Sequence, residues 1–377
     1  MDPIYNAIVP RPPDWRIDWP GIEAEFGWLR ALHGCPQDPV FHAEGDVLIH
    51  TRMVCEALVA QSAWRALAEP DRALLFWSAL LHDVAKPECT RHEPDGRISS
   101  RGHPKRGQIM ARRILWQIGL GFEARERLCH LVTHHQLPLY LMENENPERR
   151  AHLVSQQTRC DWLAMLSEAD ARGRICPDLQ KLLDNLELFR ELCRQEECYD
   201  APRAFASDHS RFLYFRKTGR AADYHAYDDT RSRATLLSGL PASGKDTWIA
   251  GQAGDAAIIS PDDLRREMKV SPGGNQGAVI AAAKEQARVA LRAGQPLIWN
   301  ATNLSRDMRK PLLSLFADYN AHVTIVYLET GPAEQARRNN ERAEPVPAQV
   351  ISRMQARWEV PDLTECHGLE LVVNNPG

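Results

Sequence analysis

The sequence predicts a multidomain chain, with an all-α helical N-terminal domain followed by an α/β C-terminal domain built on a parallel sheet with a helical lid. Three observations predict it. Of 14 histidines, nine fall between His33 and His135 and only three follow residue 220. The one glycine-rich strand–loop–helix pattern lies beyond residue 235. Apolar spacing changes character between the halves, from helical periodicity to short runs separated by helical stretches. A length of 377 residues favours two or three domains. The hydrophobic share of 44% and charged share of 25% supply a core and exclude wholesale disorder. A net charge of −4 argues against coating long stretches of nucleic acid, while leaving room for local basic patches.

The N-terminal part opens with prolines at 3, 10, 12, 13 and 20, which read as an extended arm on the domain surface. Val47, His50, Val54 and Leu58 then share one helical face, as do Leu163, Leu166 and Asp170. His82-Asp83 closes an apolar helix, His103 stands in GHPKRG, and the pair His134-His135 ends a further helix. Several imidazoles and two carboxylates thus project from separate helices toward one core. Mixed nitrogen and oxygen ligation of this kind suits borderline divalent metals, and Asp83 is placed to bridge two ions. The remaining histidines (His33, His92, His130, His152, His209, His225) are expected at the surface or behind the ligands.

Nine scattered cysteines with no C-x-x-C pair read as reduced, mostly buried thiols of a cytoplasmic protein, not as a disulfide framework or zinc ribbon. No apolar run reaches membrane-spanning length, and no secretory signal is visible at the N-terminus. The domain limits are expected at 1–205, 206–232 as a linker or docking segment, and 233–377.

In the C-terminal part, TLLS, AAIIS, PLIWN and HVTIVYL are short apolar runs, separated by helical stretches, that read as the strands of a parallel sheet. The first runs into GLPASGKDT, a G-x-x-x-x-G-K loop entering a helix. Gly239, Ser243, Gly244, Lys245, Asp246 and Thr247 are therefore the expected nucleotide contacts, with Lys245 reaching the β and γ phosphates. Asp246 stands where the usual Mg²⁺ hydroxyl would be, so either it or Thr247 serves the ion. SPDDLR places Asp262 and Arg265 on one face at a helix start, a pair suited to deprotonating an acceptor hydroxyl and holding an acceptor phosphate. Thr302, Asn303 and Arg309 are expected to contact acceptor or phosphate. The arginines of ARRNNERAEPVPAQVISRM suit a lid over a transferring phosphoryl group.

HAEGDVLIHT, LLHDVAKP, GHPKRG, THH and EAD, in that order over residues 40–175, resemble the HD superfamily of metal-dependent phosphohydrolases. The resemblance implies His50, His82, Asp83 and Asp170 as the basic metal set, with His103, His134 and His135 available to a second ion. It also implies Lys86 and Arg174 facing the substrate phosphate. Phosphoester hydrolysis near neutral pH needs hydroxide, which a bound divalent ion provides by acidifying water. Residues 235–357 are similar to the P-loop 5′-hydroxyl polynucleotide kinases. That similarity implies Lys245 on the NTP phosphates, Asp262 as general base, Arg265 on the acceptor phosphate, and Arg338 and Arg342 as lid arginines. The two halves in this order resemble the bacterial HD–polynucleotide kinase fusions, which act at both ends of a broken strand.

The cofactors so implied are ATP or another NTP with Mg²⁺, and one or two divalent ions of the Mn²⁺, Fe²⁺, Ni²⁺ or Zn²⁺ kind. The partners implied are RNA or DNA strand ends, with a separate ligase acting downstream and a homodimer left open. Two other readings fit the same motifs: an HD nucleotidase fused to a small-metabolite kinase, and an NTP-sensing switch.

Overall fold

The computed structural model describes residues 3–271 and 274–374, in two compact units that divide between Ala204 and Phe205. Each unit has its own apolar core.

The first unit is helical, with seven principal helices: α1 (Val47–Ala60), α2 (Glu69–Leu81), α3 (His103–Gln117), α4 (Phe122–His134), α5 (Pro147–Ser155), α6 (Cys160–Arg172) and α7 (Leu179–Gln195). The α1 helix starts where Asp46 caps it, its Oδ1 accepting from Ile49 N at 2.9 Å. Every residue of α2 from Ala73 to Leu81 is buried, so this helix is apolar all round and runs through the middle of the core. It packs on α1, α4 and α6, and α6 in turn packs on α1 and α7. At Gly173, just past α6, a Cβ would come 2.6 Å from Val54 Cγ2. Glycine therefore lets the end of α6 press directly onto α1.

The proline-rich opening is not an extended arm on the surface. Tyr5 is buried and stacks on Trp77 with centroids 5.6 Å apart, and Trp77 Nε1 donates to Tyr5 O at 2.8 Å. Ile22, Phe26 and Leu29 are buried as well. The prolines punctuate short helical turns, and Tyr5, Val9, Ile22, Phe26 and Leu29, spaced between and after them, join the core.

The second unit carries a five-stranded, wholly parallel sheet of order β2-β3-β1-β4-β5, where β1 is Ser232–Ser238, β2 Ala257–Ile259, β3 Leu297–Trp299, β4 Ala321–Thr330 and β5 Gly368–Asn374. Its register pairs Ser232 with Ala321 through Ser238 with Tyr327. Helices α8 (Asp208–Arg216), α9 (Lys245–Gln252), α10 (Pro261–Glu267), α11 (Gln276–Arg292), α12 (Arg306–Asp318), α13 (Pro332–Asn340) and α14 (Ala348–Gln355) complete it. The order reverses at β1, which lies between β3 and β4, so the loop leaving β1 opens at the switch point where parallel sheets bind ligands. The fifth strand goes beyond the four apolar runs expected; as a half-exposed edge it lacks a continuous apolar stretch. Within 206–232, α8 belongs to this unit and its Phe212 joins the sheet core.

Candidate functional site

Five helices deliver six donor residues to one point in the first unit. His50 comes from α1, His82 and Asp83 from the end of α2, His103 from the first position of α3, His135 from the end of α4, and Asp170 from the last turn of α6. All six are buried. The ends of α2 and α4 leave carbonyls without helical partners, and the rings use them. His82 Nδ1 lies 2.7 Å from Ala79 O, and His135 Nδ1 2.7 Å from Val132 O. His103 Nδ1 is likewise 2.7 Å from Ser100 O, and His50 Nδ1 is 3.1 Å from Gly173 O. A carbonyl only accepts, so each Nδ1 donates, and a neutral ring then presents a bare lone pair at Nε2.

Those lone pairs converge. His50 Nε2 and His82 Nε2 are 3.3 Å apart, and His103 Nε2 and His135 Nε2 are 3.4 Å apart. Asp83 lies between the pairs. Its Oδ2 is 3.1 Å from His82 Nε2 and 3.6 Å from His50 Nε2. Its Oδ1 is 3.1 Å from His103 Nε2 and 3.7 Å from His135 Nε2. Asp170 Oδ1 adds a donor 3.1 Å from His50 Nε2. Neither buried oxygen of Asp83 has a hydrogen-bonding partner of acceptable geometry among the described residues. Facing lone pairs beside a buried carboxylate repel one another, and a cation on each side of Asp83 removes that conflict. The donor set thus fits one or two divalent ions.

Lys86 and Arg174 are buried against the carboxylates. Lys86 Nζ is 2.7 Å from Asp83 Oδ2 and donates to Gln37 Oε1 at 2.6 Å. Arg174 Nη2 is 2.5 Å from Asp170 Oδ2. Burial opposes ionised Asp83 and Asp170, but the ammonium of Lys86 on the first and the guanidinium of Arg174 on the second hold both well below the usual carboxylate range. His134 stays outside the cluster, with Nε2 2.7 Å from Gln157 Oε1. Adjacent helical positions point about 100° apart, so only one ring of the pair turns inward. Sequence reasoning passed over His42 and Glu44, although both stand in HAEGDVLIH. Glu44 Oε1 is 2.8 Å from His42 Nδ1 and 3.0 Å from His50 Nδ1, behind the ligand. His130, His152 and His209, expected at the surface or behind the ligands, are buried.

In the second unit the loop from β1 to α9 has the turns that a phosphate cradle needs. Ala242 and Gly244 have φ of +65° and +100°. A Cβ on Gly239 would come 2.4 Å from Leu328 O, so only glycine fits against β4 there. Lys245 Nζ donates to Gly239 O at 3.0 Å and Leu240 O at 2.9 Å, folded back over the loop it would share with phosphates. Burial pushes its ammonium down to about 8; Arg342 acts in the same direction, against Asp246 and Asp262. Ser243 is buried beneath it, and Thr247 is exposed in the first turn of α9. Asn300, at the end of β3, donates Nδ2 to Asp246 Oδ1 at 2.9 Å. The carboxylate of Asp246 is thus oriented at the loop, where it fits Mg²⁺.

Asp262 and Arg265 pair at 2.8 Å, with Asp262 exposed. Ser260 caps α10, its Oγ accepting from Asp263 N at 3.2 Å, so Asp262 is not needed for that role. On α13, Gln335 Nε2 donates to Pro241 O at 3.2 Å, and a Cβ on Gly244 would lie 3.5 Å from Arg338 Nη1. The arginine face of α13 therefore borders the phosphate loop. Arg309, expected to contact acceptor or phosphate, is instead buried, clasping Glu365 at 2.7 Å and donating to Asn303 O and Glu359 O. Asn303 is also inward, donating Nδ2 to Leu237 O. These two residues hold the loop after β3; they do not line it.

Comparison with known proteins agrees with this division. Residues 47–166 match the model of the HD domain, and residues 235–361 match the AAA_33 model, described as an AAA domain. The chain is 32% identical over 138 residues to an A-adding tRNA nucleotidyltransferase of Deinococcus radiodurans, covering 35% of this chain and 31% of that protein. It is 23% identical over 145 residues to an L-seryl-tRNA(Sec) kinase of Methanococcus maripaludis, covering 34% and 57%. Among solved structures it is similar to an APS kinase of Mycobacterium tuberculosis bound to AMPPNP and APS, at 14% identity and a TM-score of 0.29, over 38% of this chain and 89% of that one. The chain spans 31% and 37% of the length of the first two curated relatives it matches. No helix among the described residues is long and apolar enough to cross a membrane. One chain thus carries a match to the HD domain over its buried donor set and a match to the AAA domain over its phosphate loop.

Proposed function

We propose that this chain prepares both ends of a broken polynucleotide strand for rejoining. Its P-loop unit transfers the γ-phosphate of an NTP to a 5′-hydroxyl. Its HD unit hydrolyses 2′,3′-cyclic phosphate and 2′- or 3′-phosphate ends. The observation that carries the reading is the exposed Asp262–Arg265 pair on a unit with a phosphate loop, in the same chain as the two-sided donor set around Asp83.

For transfer, Asp262 accepts the proton of the attacking hydroxyl as its oxygen bonds to the γ-phosphorus, and the bond to the β–γ bridging oxygen breaks to release NDP. Lys245, Arg338 and Arg342 meet the charge on the phosphates. Arg265, paired with Asp262 in the free protein, gains a second partner where a phosphate stands beside the acceptor hydroxyl, as it does along a strand. For hydrolysis, a bound divalent ion acidifies water and draws charge from phosphate oxygens. The chain's own part there is to hold ions through Nε2 lone pairs and the two carboxylates, with Lys86 and Arg174 balancing charge. A strand as substrate is also in keeping with the names of two relatives, both of which carry tRNA.

The test is an RNA with a 5′-hydroxyl and a 2′,3′-cyclic phosphate, incubated with NTP and divalent ions, with both ends mapped. A 5′-phosphate and a free 2′,3′-diol are expected. Arg265→Ala should raise KM for the strand by ~10-fold or more, as loss of a charged phosphate contact does. NTP binding without transfer to any strand would favour the nucleotide-sensing switch, and transfer to small hydroxyl compounds alone would favour the metabolite kinase.

A further inference from the structure

We infer that Cys160, Cys193 and Cys198 form a site for one soft divalent cation of the Zn²⁺ class, separate from the donor set around Asp83. The three thiols are fully buried, and their sulfurs all lie within 4.8 Å of one another. Backbone geometry brings them together from distant points of the sequence. Cys160 is the first residue of α6, and Cys193 lies in the last turn of α7. Past α7, Glu197 takes a φ of +50°, the chain doubles back, and Cys198 N donates to Cys193 O at 2.8 Å. Asp161 N then donates to Tyr199 O at 2.8 Å, fastening the start of α6 beside Cys198.

Buried cysteine commonly acts as a small apolar residue, and apolar packing alone would account for any one of these three. It gives no reason for three sulfurs to meet at one point. A disulfide would use two and leave the third unexplained. Tetrahedral zinc–thiolate ligation, at ~2.3 Å from metal to sulfur, sets sulfurs about 3.8 Å apart, within reach of these side chains by small rotations. Three thiolates leave one position open in a tetrahedral shell, for water. Loading exchanges thiol protons for the cation, with no redox change. The cation would clip the start of α6 to the end of α7. Asp170 stands ten residues along α6 from Cys160, about 15 Å away, so the clip fixes the helix that carries that ligand while lying apart from it.

The test uses the full chain, reduced and stripped of metal, titrated with Co²⁺. The donor set around Asp83 offers only nitrogen and oxygen, so thiolate-to-cobalt charge transfer in the near ultraviolet reports the cysteine site alone. One equivalent should develop that absorption, Zn²⁺ should displace it, and Zn²⁺ should raise Tm. The absorption should persist in Asp83→Ala and in the control Cys176→Ser, and vanish in Cys193→Ser and Cys198→Ser. Absence of the band in the unmodified chain would overturn the inference without recourse to any variant. So would its survival in both Cys193→Ser and Cys198→Ser, or a mass showing two of the three thiols oxidised to a disulfide in the purified protein.

Discussion

Glu44 holds two imidazoles with one carboxylate, at 2.8 Å from His42 and 3.0 Å from His50. Burial opposes its charge, yet the hydrogen bonds from those rings keep it well below the usual carboxylate range. Burial lowers His42 to about 4, so that ring is neutral at physiological pH. Groups standing behind ligands orient them and raise their basicity. Glu44→Gln should therefore weaken metal binding or phosphohydrolase activity by ~10- to 100-fold while sparing phosphate transfer, as end-specific assays would read. Lys245 supports a second prediction at this scale. Its ammonium sits at about 8 without ligand, and phosphate charge would raise it. NTP affinity should then be full below about pH 8, fall as pH rises through that value, and be accompanied there by proton uptake in calorimetry. Affinity that stays flat across that range, with no uptake, would show that Lys245 does not meet the phosphates. At this scale the sequence was least informative. Periodicity cannot tell which of His134 and His135 turns inward, and Arg309 looks like any other loop arginine until Glu365 is found folded against it.

Helix α13 carries the lid question. Gln335 ties it to Pro241, and Arg338 stands beside Gly244, whereas Arg337 faces outward between Glu334 and Glu341. Arg338→Ala should lower kcat for transfer by ~10³-fold with little change in KM for NTP, and Arg337→Ala should be near neutral, both read by steady-state kinetics. Equal effects of the two changes would place the function elsewhere on the helix. Elements were legible wherever a strong pattern met a strong boundary. The four apolar strand runs and the helix ending at His82 are of that kind. The fifth strand was hidden because GLELVVN, half exposed and interrupted by Glu370, has no continuous apolar run, and the N-terminal turns were hidden because prolines at that density read as extended chain.

For the molecule as a whole, each unit has its own core and its own charge-handling pocket. That two-part plan was readable from where the histidines and glycines fall, because metal ligation and phosphate binding demand those residue types in bulk. The cysteine cluster was not readable, since its members are 33 and 5 residues apart in sequence and meet only when α6 and α7 pack. Two pockets on two units imply two reactions that can be removed singly. The direct measurement takes one RNA with a 5′-hydroxyl and a 2′,3′-cyclic phosphate, and follows both ends with Asp83→Ala and with Lys245→Ala. Asp83→Ala should slow removal of the cyclic phosphate by at least ~100-fold and leave 5′-phosphorylation intact, and Lys245→Ala should do the reverse. Loss of both reactions from either single change, in protein that remains folded, would contradict the account.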